Sequence, residues 1–245
     1  MQAILLAAGV GKRLNRTAPA PKCLLEFGGR SLLERHLDNL ARLGVHQVNV
    51  CVGFEAAQVA RAVAGRTRPA VLLQPNPLYE LGSVLSLWCV RQALACGEDV
   101  LVMDADVLYH PDILARLVAA PAPNCFLFDR DFVPGDEPVM ICLAGERIVE
   151  FRKRVASGLA YNRVGESVGF FKFGPAMALS LATLVARYVA DGRRTEPHEE
   201  ALRELALADP AAIDVLDVTG LPWIEIDFPE DIERANTHIL PAIDA

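Results

Sequence analysis

Residues 3–22 read AILLAAGVGKRLNRTAPAPK, and the fold turns on this stretch. Its opening AILLAA is a short unbroken apolar run, the pattern of a strand covered on both faces. The strand is expected to end near Ala7, and Gly9 and Gly11 then open a turn. A loop in that position lies at the carboxyl edge of a parallel sheet, where α/β proteins bind ligands. The two glycines can offer backbone N–H groups to an oxyanion, and Arg13 and Lys22 add fixed positive charge. Guanidinium can hold two phosphate oxygens at once, whereas Lys is a compact charge, so the set suits a triphosphate. A plain glycine turn with solvated charges is the alternative.

Two better-known glycine motifs do not fit. A Walker loop needs Ser or Thr after Gly-Lys, and Arg13 stands there; the four-residue spacing between glycines is also missing. A dinucleotide fingerprint needs a third small residue where Leu14 stands, and an acid after the second strand.

Working outward, Ser31 can cap a helix through residues 32–44, where Leu32, Leu33, Leu37, Leu40 and Leu43 recur at helical spacing before Gly44. Strand patterns at 47–54, 70–74 and 100–106 alternate with helical ones at 53–65 and 83–95, which predicts a mainly parallel sheet with right-handed crossovers over residues 1–120. After PDILARLVAAPAP (111–123) the texture becomes α+β. Strands are expected at 125–128, 137–145, 147–151 and 167–173, helices near 175–190 and 197–207, strands at 213–218 and 221–227, and a last helix from Pro229. No linker separates the halves, so residues 1–245 are read as one domain with a nucleotide lobe (1–120) and a smaller acceptor lobe (121–245).

The 245 residues are 52% hydrophobic and 22% charged, enough to bury a core. Twenty-four basic against 31 acidic residues give a net charge of −7, which argues against nucleic acid as a partner but leaves room for a nucleotide. No signal peptide or membrane span is read, since the longest later apolar stretch, 175–186, is too short to cross a bilayer. The six cysteines form no C-x-x-C pair and sit among apolar neighbours, the mark of reduced core thiols and a cytoplasmic setting.

Carboxylates supply the second half of the chemistry. VMDAD places Asp104 and Asp106 at a strand's carboxyl edge, and WIEID supplies Glu225 and Asp227. Oxygen ligands of this kind suit Mg²⁺, which bridges carboxylates to nucleotide phosphates. For any one acid alone, a solvated loop side chain is the competing reading. Gly82 and Ser83 precede a helix and can either cap it or read a base edge. Glu150 and Lys153 stand in VEFRK; His198, Glu199 and Glu200 open a helix, where acids are ordinarily explained by its dipole.

Leu6–Arg13, LAAGVGKR, followed by Pro21 and Lys22, resembles the signature of nucleotidyltransferases that join a nucleoside triphosphate to a phosphorylated small molecule. The resemblance continues through VLVMDAD, VEFRK, GESVGFFKF and WIEIDFPEDIERA, and is greatest to the phosphocholine and aminoethylphosphonate cytidylyltransferases, through NPLYELGSVLSL, DAD and EID. VEFRK departs from the E-K-P of many sugar-nucleotide enzymes in lacking proline. The resemblance implies a Rossmann-like, mainly parallel mixed sheet flanked by helices, of the nucleotide-diphospho-sugar transferase type. It implies CTP and a phosphorylated or phosphonate acceptor as substrates, Arg13 and Lys22 as catalytic groups, and Asp106 and Asp227, with Glu225, on the metal. Ala7, Ala8, Gly9, Gly11, Gly82, Ser83 and Asp104 would surround the nucleotide. Lys153 would hold the acceptor's phosphate, and Glu199 and Glu200 its cationic head, with Tyr79, Trp88 and Tyr161 as candidate aromatic walls. A homodimer is the expected assembly. The rivals are a sugar-1-phosphate nucleotidylyltransferase using UTP, GTP or dTTP, and an inactive nucleotide-binding subunit.

Overall fold

The computed structural model describes residues 1–14, 20–133, 135 and 138–244. β1 (Gln2–Ala7) is an interior strand of the sheet, with apolar side chains packed on both faces. Ala3, Leu5 and Ala7 enter one core cluster, while Ile4, Leu6 and Ala8 pack into the other. A hairpin, β2 (Glu26–Phe27) and β3 (Arg30–Ser31), leads to α1 (Leu32–Arg42). Ser31 caps α1 as expected, in a full capping box: its Oγ accepts the Glu34 N–H at 3.2 Å, and Glu34 accepts the Ser31 N–H at 2.7 Å.

β4 (Gln47–Val52), α2 (Ala56–Ala62) and β5 (Ala70–Pro75) follow. The helix expected over 83–95 is two pieces, α3 (Val84–Cys89) and α4 (Arg91–Leu94). At the junction Arg91 stacks its guanidinium 4.1 Å from the Trp88 ring centre and donates to the Trp88 carbonyl at 2.9 Å, a side-chain bond in place of a helical one. β6 (Val100–Asp104) then runs parallel beside β1, with β7 (Val107–Tyr109) and α5 (Pro111–Ala119) after it.

The second half supplies β8 (Cys125–Asp129), β9 (Met140–Ala144), β10 (Arg147–Arg152), β11 (Arg163–Phe173), α6 (Pro175–Ala190), α7 (His198–Ala208), β12 (Asp214–Asp217), β13 (Trp223–Glu225), α8 (Pro229–Arg234), a π-helical turn (Ala235–Ile239) and α9 (Leu240–Ile243). Glu137, at the head of the segment expected as a strand, lies outside the described residues. The main sheet runs β10-β9-β11-β6-β1-β4-β5, with β8 pairing β11 and β12. It is parallel through β6, β1, β4 and β5; β11 joins antiparallel to β6 and carries the sheet into the second half. This mixed, mostly parallel sheet flanked by helices is the architecture expected from the sequence.

Candidate active site

The carboxyl ends of β1 and β6 open onto a cleft of about 370 Å³. Its wall begins at Leu6–Gly9, passes Gly11, and reaches the single 3₁₀ turn Lys12–Leu14 that carries Arg13. Gly11 has φ +64°, a left-handed conformation that glycine adopts without strain. A second 3₁₀ turn, Lys22–Leu24, follows Pro21 and aims Lys22 into the same cleft.

Asp106 and Asp227 are 121 residues apart in the chain, yet a two-stranded ladder joins them. β13 pairs antiparallel with β7, setting Glu225 opposite Val107, and the Ile226 N–H donates to the Asp106 carbonyl at 3.0 Å. Ligand oxygens of Asp106, Glu225 and Asp227 thereby lie within 4.8 Å of one another. The Lys22 ammonium stands between two of them, 2.9 Å from Asp106 Oδ2 and 2.5 Å from Asp227 Oδ1. Arg13 lies 3.4 Å from Asp227 Oδ2, with its guanidinium 5.1 Å from the Phe228 ring centre. Burial alone would depress Lys22, but the charges of Asp106 and Asp227 and the hydrogen bonds to them outweigh it and hold the ammonium above its ordinary value. Glu225 is exposed overall, but its carboxyl is packed around by the cleft wall. That desolvation, then the charges of Asp106, Asp227 and Asp104, push it well above the usual carboxylate range. Three carboxylates sharing one small space, two of them already gripping a cation, form a donor set that fits a hard divalent ion.

A second charged group sits across the cleft. His198 begins α7 and is 4% exposed, its Nδ1 3.0 Å from Glu199 Oε2 and its Nε2 3.6 Å from Asp104 Oδ1. Burial disfavours its charged form, but Glu199 and Asp104 outweigh that and raise it to about 9. Burial likewise opposes ionisation of Glu199, yet His198 holds it down to about 2. Asp104 is pushed up to about 7 by burial; Asp106 and Glu199 add to the rise and His198 opposes it. Gly169 of β11 makes room for this acid: it has φ +77°, and a Cβ there would lie 2.5 Å from Asp104 Oδ2.

The cleft brings together Ala7, Ala8, Gly9, Gly11, Arg13, Lys22, Ser83, Asp104, Asp106, Lys153, Glu199, Glu225 and Asp227. Gly82 and Glu200, singled out in the sequence as binding residues, are not on its wall. Gly82 is needed for packing: its Cβ would lie 2.2 Å from the Glu196 carbonyl, and its N–H donates to Arg194 at 3.0 Å. Glu200 points elsewhere and accepts both arms of Arg152, at 2.9 and 2.6 Å. Ser83 does not cap α3. Its Oγ accepts the His198 N–H at 2.8 Å, tying α3 to α7. Glu150 is buried against Arg203, Trp88 packs at the core's edge, and Tyr161 is exposed away from the cleft wall. Lys12, Tyr79 and Ser86 also line the cleft without having been singled out for the nucleotide, as does His198. Lys12 lay in plain view within the signature, whereas Ser86 carries no signal in the sequence.

A MobA-like NTP transferase domain matches residues 3–156. The chain belongs to that family. Over 98% of its length it is 28% identical to the CMP-5'-(3-aminopropyl)phosphonate synthase of Streptomyces rubellomurinus, of which it spans 39%. Across the first curated relatives it matches, the chain spans about two-fifths to half of their length. The UTP–glucose-1-phosphate uridylyltransferase AglF of Haloferax volcanii is 24% identical, with 98% of this chain and 96% of that one covered. Among solved structures, the inositol-1-phosphate CTP transferase from T. maritima superposes with TM-score 0.78 at 21% identity, over 99% of this chain and 94% of that one. The CTP:phosphocholine cytidylyltransferase from Streptococcus pneumoniae superposes with TM-score 0.73 at 18% identity, over 96% and 97%. The two superpositions establish the nucleotide-diphospho-sugar transferase fold.

Proposed function

We propose that this chain transfers a cytidylyl group from CTP to a small acceptor bearing a phosphate or phosphonate, such as phosphocholine or 2-aminoethylphosphonate, and releases pyrophosphate. One observation carries the reading: Lys22 and Arg13 converge with Asp106, Glu225 and Asp227 beside the glycine turn, a cation-and-carboxylate arrangement suited to a triphosphate. An acceptor oxygen bonds to the α-phosphorus as the α–β bridging P–O bond breaks, and that electron pair leaves with pyrophosphate. The acceptor is ionised near neutral pH, because a phosphate monoester's second pKa is about 6, so no protein base is required.

Arg13 and the backbone at Gly9 and Gly11 bind the outer phosphates, and Lys22 stabilises charge on the transferring group. Lys153 holds the acceptor's phosphate. Ala7, Ala8, Gly9, Ser83 and Asp104 border the base and ribose. Mg²⁺, held by Asp106, Asp227 and Glu225, would supply Lewis-acid stabilisation at the phosphate oxygens. Positioning and fixed charge therefore do most of the work. Residues 1–120 would form the nucleotide lobe and 121–245 the acceptor lobe of one domain. No helix among the described residues is long and apolar enough to cross a membrane; we place the protein in the cytoplasm, acting on small molecules, as a homodimer.

The CTP assignment draws support from relatives whose names specify CMP or CTP and which match almost the whole chain. The sugar-phosphate reading is favoured by the full-length match to a uridylyltransferase. Incubation with each of four nucleoside triphosphates and a panel of phosphocholine, 2-aminoethylphosphonate, inositol-1-phosphate and glucose-1-phosphate, with products detected by mass, separates these. A CMP conjugate is expected. A better yield from glucose-1-phosphate with another nucleotide would defeat the CTP assignment, and no conjugate at all would leave the inactive-subunit reading.

A further inference from the structure

Glu225 and Asp227 line two spaces at once. Besides the cleft, they border a larger cavity of about 780 Å³ walled by Asp129, Glu166, Trp223, Phe228 and Arg234 among others. Most of the charge in it is accounted for by the protein itself. Asp129 accepts the Trp223 indole N–H at 2.6 Å, which fixes the ring, and the Asp131 N–H at 2.8 Å. Asp231 accepts the N–H groups of Asp227 and Phe228 at 2.9 and 2.7 Å and faces Arg234, the one cation of the wall among the described residues, at 3.8 Å. Glu166 is different. It projects from β11 and is partly buried, and its carboxylate has no hydrogen-bond or ion-pair partner among the described residues.

We propose that this cavity receives the cationic head of the acceptor, with the Glu166 carboxylate as counter-ion and the Trp223 ring as apolar wall, so that Glu166 sets the preference for an amine-bearing over a neutral acceptor. The proposal rests on the cytidylyl-transfer reading, because Glu225 and Asp227 are what connect the cavity to the reacting groups. It moves the cation's place away from Glu199, which His198 already neutralises, and from Glu200, which Arg152 occupies. An aromatic face beside a carboxylate is the chemistry that holds an alkylammonium group, and a sugar ring would leave the carboxylate unpaired in a partly desolvated space. Burial, then the charge of Asp129, pushes Glu166 up to about 7 against the pull of Arg234 and Lys153. A seated cation would relieve that cost.

The test compares phosphocholine and 2-aminoethylphosphonate with 3,3-dimethylbutyl phosphate, the uncharged isostere of phosphocholine. Binding is read by tryptophan fluorescence in the presence of CTP, and turnover by mass. We expect at least one cationic acceptor to be favoured over the isostere by about ten-fold in kcat/KM, a charge-assisted contact being the difference. Glu166→Gln should collapse that ratio through the acceptor's KM while leaving the KM for CTP unchanged, and Glu166→Asp should restore part of it. Because Gln carries no charge to desolvate, the variant should melt no lower than the parent, which keeps a lost preference from being a folding defect. Equal use of cationic and uncharged acceptors by the parent protein, or an unchanged ratio in Glu166→Gln, overturns the proposal. Cation binding that depends on Glu166, without any transfer from CTP, would uphold the cavity and defeat the transfer reading; absence of cationic binding altogether would defeat the cavity.

Discussion

Two clusters in one cleft pair a buried cation with carboxylates, and they are built for different ends. Lys22 sits on a one-turn 3₁₀ segment, reaches in on a flexible stem, and bridges two acids held at the end of one short ladder. His198 is rigid. Its backbone N–H is tied to Ser83, its ring is flanked by Glu199 and Asp104, and its place at the start of α7 leaves it nowhere to go. A long flexible cation can yield its carboxylates to an incoming ion, whereas a short buried imidazolium cannot. We therefore read the first cluster as the exchangeable, reacting one and the second as the scaffold that fixes α7 against β6.

If that contrast holds, the largest effects belong to the first cluster. Asp106→Asn and Asp227→Asn should each cost about 10³-fold or more in turnover while leaving a folded protein, and the double variant should lose little beyond either single one, since both acids serve one ion. Multiplicative losses, measured by pyrophosphate release, would break the idea of a shared site. Lys22→Ala should cost about 10² to 10³-fold in rate. It should also lower the melting temperature, because three carboxylates lose their counter-charge, and added Mg²⁺ should restore stability without restoring rate. Rescue of both would make the lysine a mere place-holder.

The second cluster should show itself in stability. His198 is raised from 6.5 to about 9, so its contribution is fully present below pH 6.5 and is lost as pH rises through about 9. Glu199 is lowered from 4.5 to about 2, so its contribution is present above pH 4.5 and is lost as pH falls through about 2. Melting temperature should therefore be highest between about pH 4.5 and 6.5 for this pair, and His198→Gln should flatten the alkaline decline. An identical alkaline slope in the variant would show that the imidazolium is not what ties α7 down. Smallest of all is Glu200→Gln. It breaks a half-exposed pair with Arg152, worth about 1 kcal/mol or less, and should leave both Michaelis constants unchanged.

What the sequence made legible follows the same division. The parallel half was readable because each element carries its own signal: AILLAA is apolar on both faces, Ser31 and Glu34 form a box three residues apart, and Gly44 ends a leucine-spaced helix. The acids at 106 and 227 stood out by type, and their convergence came only from a resemblance, because the β7–β13 ladder that joins them is three residues long. Gly82 and Glu200 fall off the cleft wall for a related reason. A glycine before a helix and an acid in its first turn look alike whether they face a ligand or a neighbouring segment, and only packing against Thr195–Glu196 and Arg152 decides. The Glu166 cavity has no sequence signature at all, since its walls come from β8, β11, β13, α8 and the segments between them, with no element contributing more than a few side chains.

The most direct test of the central claim follows the phosphorus. With CTP labelled at the α-phosphorus in one reaction and at the γ-phosphorus in another, and phosphocholine or 2-aminoethylphosphonate as acceptor, the α-label should appear in the acceptor conjugate and the γ-label in pyrophosphate, both only when Mg²⁺ is present. Transfer of the γ-label to the acceptor, or release of the α-label as free CMP with no conjugate, would contradict cytidylyl transfer.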